Sequence, residues 1–242
     1  MNKSPISFYL SYTKNHITSF IFLIPLIMIY ELISLIKFSN KDFIIRNSAD
    51  SFFRDLFNVV SINPIYYYMF LLSLFCIYIA FKIKNDIVSY DIKANYLFLM
   101  YLEGALLGFL LLLLLNNNLI GYSINYYEDI FLTFYLCLGA GIWEEILFRF
   151  ILISIFLFVC KSIFFLKNIK FIISILLSSI LFSSFHYIGS GADIYSHYTF
   201  IIRFIGGLLL GLIYLSRGLG ISCMTHFCYD SFLISFPIIK IL

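Results

Sequence analysis

Two adjacent glutamates and an arginine form the pattern in this sequence with the clearest chemical meaning. The residues Glu144-Glu145-Ile-Leu-Phe-Arg149 lie within a strongly apolar stretch. On a helix, Glu145 and Arg149 are four residues apart and share a face, so they can form an ion pair. Glu144 is turned about 100° away from that face. The spacing predicts one carboxylate held by the arginine and a second, poorly hydrated carboxylate that suits general-base catalysis.

Two further patterns contribute histidines. They are Phe182-Ser-Ser-Phe-His186 and His226-Phe-Cys-Tyr-Asp230, and each places its first and last residues on one helix face. Asp230 can accept a hydrogen bond from one imidazole nitrogen of His226 and so determine which nitrogen faces a cavity. Together the three patterns supply carboxylates and imidazoles, the groups that activate water and stabilise an oxyanion.

Structural interpretations of the same residues stay open. A buried Glu145–Arg149 pair can be purely architectural, and an intramembrane histidine is commonly a hydrogen-bond donor between helices. We assign Phe182 to packing. We also expect Glu31 and Glu103 to be structural or to line a cavity, with one of them meeting Arg203.

The composition requires an apolar environment around these groups. The 242 residues are 62% hydrophobic and 12% charged, and the mean hydropathy is +0.99. Soluble domains are nearer to about 45–50% apolar and about 25% charged. A charge at the centre of a membrane helix costs about 2.5–3.5 kcal/mol, so these charges must pair, line a wet cavity or perform a function.

The fold class predicted is all-α, a polytopic bundle of seven or eight membrane helices that forms a single domain over residues 1–242. The candidate spans are residues 18–38, 65–81, 96–115, 130–160, 169–187, 198–215 and 219–239. The fourth exceeds the roughly 20 residues of one crossing. It is expected to be tilted, to be broken at Gly139–Gly141, or to consist of a span and a short embedded helix. The Gly207–Gly211 spacing predicts close helix packing.

The distribution of basic residues predicts the orientation. Lysines and arginines cluster in alternate loops, near 82–93, 161–170 and 217, whereas 116–129 and 188–197 carry none. The N-terminus is therefore expected in the cytoplasm. The segment 39–64 carries three basic residues on the opposite side, and we expect an interfacial helix there. A net charge of +3, spread over short loops, argues against nucleic-acid binding.

The three patterns, in this order on apolar helices, resemble the motifs of the CPBP family, the CAAX-protease and bacteriocin-processing (Abi) intramembrane peptidases. The resemblance covers residues 130–235, as a catalytic core within the membrane domain. It implies a glutamate-dependent endopeptidase in a prokaryotic plasma membrane. Glu144 with His186 would activate water, His226 and the residue at 230 would stabilise the oxyanion, and Glu145 and Arg149 would support the site.

Asp230 departs from that family pattern, which commonly ends in asparagine. An ionised aspartate cannot donate to an oxyanion. Asp230 is therefore either protonated, or it only orients His226. Two N-terminal patterns, Pro25-x-x-x-x-Tyr30-Glu31 and Arg46-Asn-Ser-Ala-Asp50, resemble elements of prokaryotic subgroups associated with sorting proteins that have C-terminal anchors.

The function expected is hydrolysis of a peptide bond in a membrane-associated protein or peptide, in the lipid bilayer and without a cofactor. Zinc-assisted hydrolysis is an alternative, since Glu, His and Asp bind zinc, although no HExxH pattern is present. A proton-coupled transporter is another, because intramembrane carboxylates relay protons. The third is a non-catalytic immunity or scaffold member of the same family.

Overall fold

The computed structural model describes residues 4–38, 45–59, 92–115, 130–163, 167–189 and 192–239, and these ranges contain helices but no strand. The elements are α1 Pro5–Thr13, α2 His16–Phe38, α3 Ser48–Val59, α4 Ala94–Leu115, α5 Ile130–Gly139, a π-helix Ala140–Ile153, α6 Ser154–Ser162, α7 Lys170–Phe185, α8 His197–Arg217 and α9 Leu219–Ile239. The predicted span 65–81 lies outside the described residues. The fold class predicted from the sequence, a polytopic helical bundle, is confirmed.

Within the described ranges, three helices are long and apolar enough to cross a membrane: α2 over His16–Lys37, α4 and α8. Helix α7 is apolar but shorter. At most about a third of each long apolar stretch is buried within the protein. Large side chains such as Leu35, Leu106 and Leu114 point outwards and are more than half exposed. An apolar surface of this kind requires lipid, so the protein is an integral membrane protein.

The predicted fourth span is one continuous helix with a change of winding. Gly139 and Ser154, at the two ends of the π-helix, both have helical backbone angles (φ −60°, ψ −44° and φ −63°, ψ −42°). The chain is therefore not broken at Gly139–Gly141, and no separate embedded helix is formed. Instead the wider i→i+5 hydrogen bonding begins at Ala140. Such π-helical segments are frequent at functional sites, and this one carries Glu144, Glu145 and Arg149.

Helix α9 lies at the centre of the bundle and packs against α4, the π-helix, α8 and α2. Its approach to the π-helix depends on Gly141, where a Cβ atom would lie 2.7 Å from Phe227 Cβ and 2.8 Å from the Cys223 carbonyl oxygen. Because no side chain fits there, the two backbones come close enough for their polar side chains to meet. The close packing predicted at Gly207–Gly211 is also confirmed, since Cβ atoms there would lie within 3.1 Å of α7 side chains.

Helix α3 is a short amphipathic helix that contacts the π-helix, with its Phe53 ring 6.0 Å from that of Trp143. Its C-terminal Val59 is exposed. The two arginines that conflicted with the predicted orientation, Arg46 and Arg54, form ion pairs with Glu31 and Asp50. Their positive charges are thus paired with carboxylates inside the protein.

Candidate active site

The ionisable residues identified in the sequence come from three elements and converge inside the bundle. Glu144 and Glu145 lie on the π-helix, His186 follows the last residue of α7, and His226 and Asp230 lie on α9. The side chains of Glu145, Glu144 and His226 are respectively 0%, 7% and 6% exposed. Buried charges are strongly unfavourable unless they are paired, so the partners of each group determine what it can do.

Glu145 has partners on both carboxylate oxygens. Its Oε1 lies 3.0 Å from Arg149 Nη1, so the ion pair predicted from the spacing is present. The same oxygen lies 2.9 Å from His226 Nδ1, which can donate its N–H. Ser222 donates its hydroxyl to Oε2 at 2.5 Å. Both oxygens of this carboxylate therefore have partners within the protein.

Glu144 has a partner on one oxygen. The side-chain amide of Asn47 donates to Oε1 at 2.9 Å. The other oxygen, Oε2, is buried and has no hydrogen-bond donor among the described residues. Its neighbour is His226 Nε2, at 4.0 Å. Glu144 can therefore accept a proton or a hydrogen bond from a molecule that enters the site.

His226 lies among three carboxylates. Its Nδ1 faces Glu145, while its Nε2 is 3.5 Å from Asp230 Oδ2 and 4.0 Å from Glu144 Oε2. The sequence predicts Asp230 as the group that orients the imidazole. The structure places Glu145 closer, because the neighbouring π-helix approaches His226 more tightly than the next turn of α9 does.

Phe182 lies between the two histidines and the arginine. Its ring centroid is 5.1 Å from that of His186, 5.8 Å from that of His226 and 4.3 Å from the Arg149 guanidinium. His186 Nδ1 lies 2.9 Å from the Phe182 carbonyl oxygen, which can only accept, so the hydrogen is on Nδ1. In the neutral ring, Nε2 is then a free acceptor. His186 also interacts electrostatically with Glu144 and His226.

Two residues of the cluster were not predicted from the sequence. Ser222 carries no recognisable signal, since buried serines are common in membrane helices. Asn47 lies within the Arg46–Asp50 pattern that drew attention for its resemblance to sorting-associated subgroups, without a role in the site. The contact between Asn47 and Glu144 joins residues 97 positions apart.

The prediction that Arg203 meets Glu31 or Glu103 is wrong. Arg203 pairs with Asp193. Glu31 pairs with Arg46 at 2.7 Å, and Glu103 pairs with Arg217 at 2.5 Å. Each of these glutamates has an arginine partner, but the partners come from parts of the chain that helical spacing cannot relate.

In the part of the chain that the structure describes, no three His, Cys, Asp or Glu side chains are arranged to hold a metal ion.

The fold and the site define a multi-pass membrane protein with a carboxylate–histidine cluster inside its helical bundle. Residues 126–232 match the family model described as type II CAAX prenyl endopeptidase Rce1-like. Residues 126–232 are therefore similar to the CPBP/CAAX protease family, as the resemblance of the three motifs predicts. No curated protein and no solved structure matches the chain.

Proposed function

We propose that this protein is an intramembrane endopeptidase in which Glu144 activates the attacking water. The observation that carries the proposal is the unoccupied Oε2 of Glu144, in a cluster where the adjacent Glu145 is bonded at both oxygens. A buried carboxylate with one free oxygen, close to the His226 imidazole and in electrostatic interaction with His186, has the arrangement that a general base needs.

The reaction begins with a water molecule between Glu144 Oε2 and His186 Nε2. Glu144 takes a proton from this water, and the water oxygen forms a bond to the scissile carbonyl carbon. The resulting oxyanion accepts a hydrogen bond from protonated Nε2 of His226, whose ring is held at Nδ1 by Glu145. Collapse of the tetrahedral intermediate breaks the C–N bond, and the proton passes from Glu144 to the leaving amine.

Asp230 acts in this scheme through His226, with its carboxylate 3.5 Å from Nε2. An ionised Asp230 pairs with the charged imidazole, whereas a protonated Asp230 donates to the oxyanion itself. Asp230 also favours the second candidate function, a non-catalytic member of the family. An asparagine at this position could donate a hydrogen bond to the oxyanion, and an ionised aspartate cannot.

The substrate in this proposal is a membrane-associated protein or peptide, cleaved during the processing or sorting of proteins with C-terminal anchors. The resemblance of the Tyr30-Glu31 and Arg46–Asp50 patterns to sorting-associated subgroups supports this choice, and both patterns lie close to the site through Asn47. The proposed location is a prokaryotic plasma membrane, with the N-terminus in the cytoplasm.

The test compares membranes that contain the wild-type protein, Glu144→Gln or His186→Ala, with new protein termini mapped by mass spectrometry. We expect a set of cleavages that both variants lose and that a metal chelator leaves unchanged. Glu103→Gln is the matched control, since it changes an intramembrane glutamate paired with Arg217 outside the site. Loss with the chelator would favour zinc-assisted hydrolysis. Unchanged termini in Glu144→Gln would favour the scaffold or transporter alternatives.

A further inference from the structure

The Asn47 side chain reaches the cluster from a segment that precedes the region matched by the family model. Its Nδ2 donates to Glu144 Oε1 at 2.9 Å, and the residue is buried. A hydrogen bond to a carboxylate is about twice as strong as one between neutral groups. Through this contact, Glu144 is tied to a side chain 97 positions earlier in the sequence.

The orientation of the Asn47 amide is determined by its second contact. Its Oδ1 accepts from the backbone N–H of Ala49 at 2.9 Å. Because an N–H cannot accept, the oxygen of the amide must face Ala49, and the NH₂ group must face Glu144. The backbone N–H of Asn47 also donates to the hydroxyl oxygen of Tyr30 at 3.3 Å. Three hydrogen bonds, one from the backbone and two from the side chain, therefore fix the position of Asn47.

The segment that carries Asn47 is clamped to α2 by buried polar contacts. Tyr30 donates its hydroxyl to Asp50 at 3.1 Å, and its ring stacks on that of Tyr135 at 4.5 Å. Asp50 is fully buried and pairs with Arg46, which pairs in turn with Glu31. This chain of contacts holds Arg46, Asn47 and the first turn of α3 against α2.

Gly139 gives this segment access to the π-helix. A Cβ atom at residue 139 would lie 2.7 Å from Tyr30 Cε2 and 2.8 Å from Asn47 Cβ. A side chain here would displace both residues. Because residue 139 has no side chain, Asn47 can come close to the helix about one turn before Glu144.

We propose that Asn47 is a positioning residue for Glu144, so that the N-terminal segment completes the active site. The terminal torsion of a glutamate is broad, and either oxygen can face a substrate when neither is held. Asn47 fixes Oε1 and thereby presents Oε2 to the attacking water. This inference rests on the proposed function, because it assigns Asn47 a role through the proposed base.

The test measures kcat and KM of purified protein in lipid vesicles, with a peptide that spans a cleavage found by terminus mapping. Asn47→Ala removes the donor, and we expect kcat to fall about 10- to 100-fold with KM unchanged. Asn47→Asp keeps the size of the side chain and the oxygen that accepts from Ala49. It replaces the NH₂ group that faces Glu144 with a carboxylate oxygen. We expect a larger fall in kcat for this variant.

Asn15→Ala is the matched control. Asn15 Oδ1 accepts from the backbone N–H of Ile17 at 2.9 Å, across the same two-residue spacing, and Asn15 is exposed outside the site. We expect wild-type kcat for this variant. An equal loss in Asn15→Ala would overturn the inference, since the effect would then come from losing a local turn contact.

A thermal-unfolding cycle tests the contact without using activity. Asn47→Asp should lower Tm because it opposes two carboxylates, and adding Glu144→Gln should restore Tm because an amide can donate to the new carboxylate. No recovery in the double variant would contradict the contact. An increase in KM alone would assign Asn47 to substrate binding instead.

The inference and the proposed function fail in distinguishable ways. If Glu144→Gln is inactive while both Asn47 variants keep wild-type kcat, the positioning role is wrong and the endopeptidase proposal stands. If Glu144→Gln keeps wild-type kcat, the proposed function itself is wrong, whatever the Asn47 variants do.

Discussion

The two adjacent glutamates have different sets of partners, and those partners separate the tasks that each can perform. Glu145 binds Arg149, His226 and Ser222, whereas Glu144 binds Asn47 and keeps Oε2 free of protein donors in the described structure. The difference follows from the rotation between consecutive helical residues, which turns Glu145 towards Ser222 and Glu144 towards Asn47. A supporting carboxylate and a reactive one can thus be neighbours in sequence.

Arg149→Met tests the supporting role of the buried ion pair. Both partners are almost fully buried, so removal of the arginine deprives the buried Glu145 carboxylate of its guanidinium partner. We expect the free energy of unfolding to fall by about 3–5 kcal/mol. Chemical unfolding in detergent micelles measures this change.

Arg203→Met is the control for that variant. Arg203 pairs with Asp193, whose side chain is 52% exposed. Exposed pairs contribute about 0–1 kcal/mol, so this variant should be nearly as stable as the wild type. Equal losses in the two variants would mean that the Glu145–Arg149 pair has no special importance for stability.

At the residue scale, the sequence predicts contacts within one helix better than contacts between helices. The Glu145–Arg149 pair follows from helical spacing alone. The partner of Glu144 does not, because Asn47 is 97 positions away. The partner of Arg203 was predicted wrongly for the same reason, since spacing along one helix carries no information on which helices are neighbours.

At the element scale, glycines set the distances between the helices that build the site. Gly141 brings α9 against the π-helix, and Gly139 admits Tyr30 and Asn47. The sequence predicts a span too long for one crossing and draws attention to these glycines. It does not predict π-helical winding, because that winding depends on the neighbours of the helix as well as on its own residues.

Gly139→Ala tests this role of glycine. The new methyl group would overlap Tyr30 and Asn47, and overpacking of this kind costs about 1–3 kcal/mol. We expect a lower Tm and a lower kcat, because Asn47 is displaced from Glu144. Thermal unfolding and peptide cleavage in vesicles measure the two effects.

Gly206→Ala is the control, since a Cβ atom there would meet its nearest neighbour, Leu115 Cδ1, at 3.4 Å. Alanine favours helix by about 1 kcal/mol over glycine, so Tm should be unchanged or higher. A Gly139→Ala protein as stable and active as this control would contradict the close approach at residue 139.

At the scale of the whole molecule, the orientation and the single domain over residues 1–242 stay predictions. Span 65–81, on which the count of crossings depends, lies outside the described residues. The ion pairs of Arg46 and Arg54 remove two of the three charges that conflicted with a cytoplasmic N-terminus. The charge distribution of the remaining loops then favours one orientation consistently.

Cysteine labelling tests the orientation. Lys167→Cys lies in a basic loop, and Ile194→Cys lies in a loop without Lys or Arg, where the residue is 95% exposed. A membrane-impermeant reagent should modify the first from the cytoplasmic side and the second from the opposite side. The four described cysteines are buried and give little background, and Cys76→Ser removes the fifth. Labelling of both positions from one side would contradict the predicted topology.

The most direct test of the account is the turnover number of Glu144→Gln in lipid vesicles. Glutamine keeps the size of the side chain and can still accept from Asn47, but it cannot take a proton from water. We expect kcat to fall by about 10²- to 10⁴-fold, with an unchanged Tm. Turnover at the wild-type rate by a folded Glu144→Gln protein would contradict the assignment of Glu144 as the catalytic base.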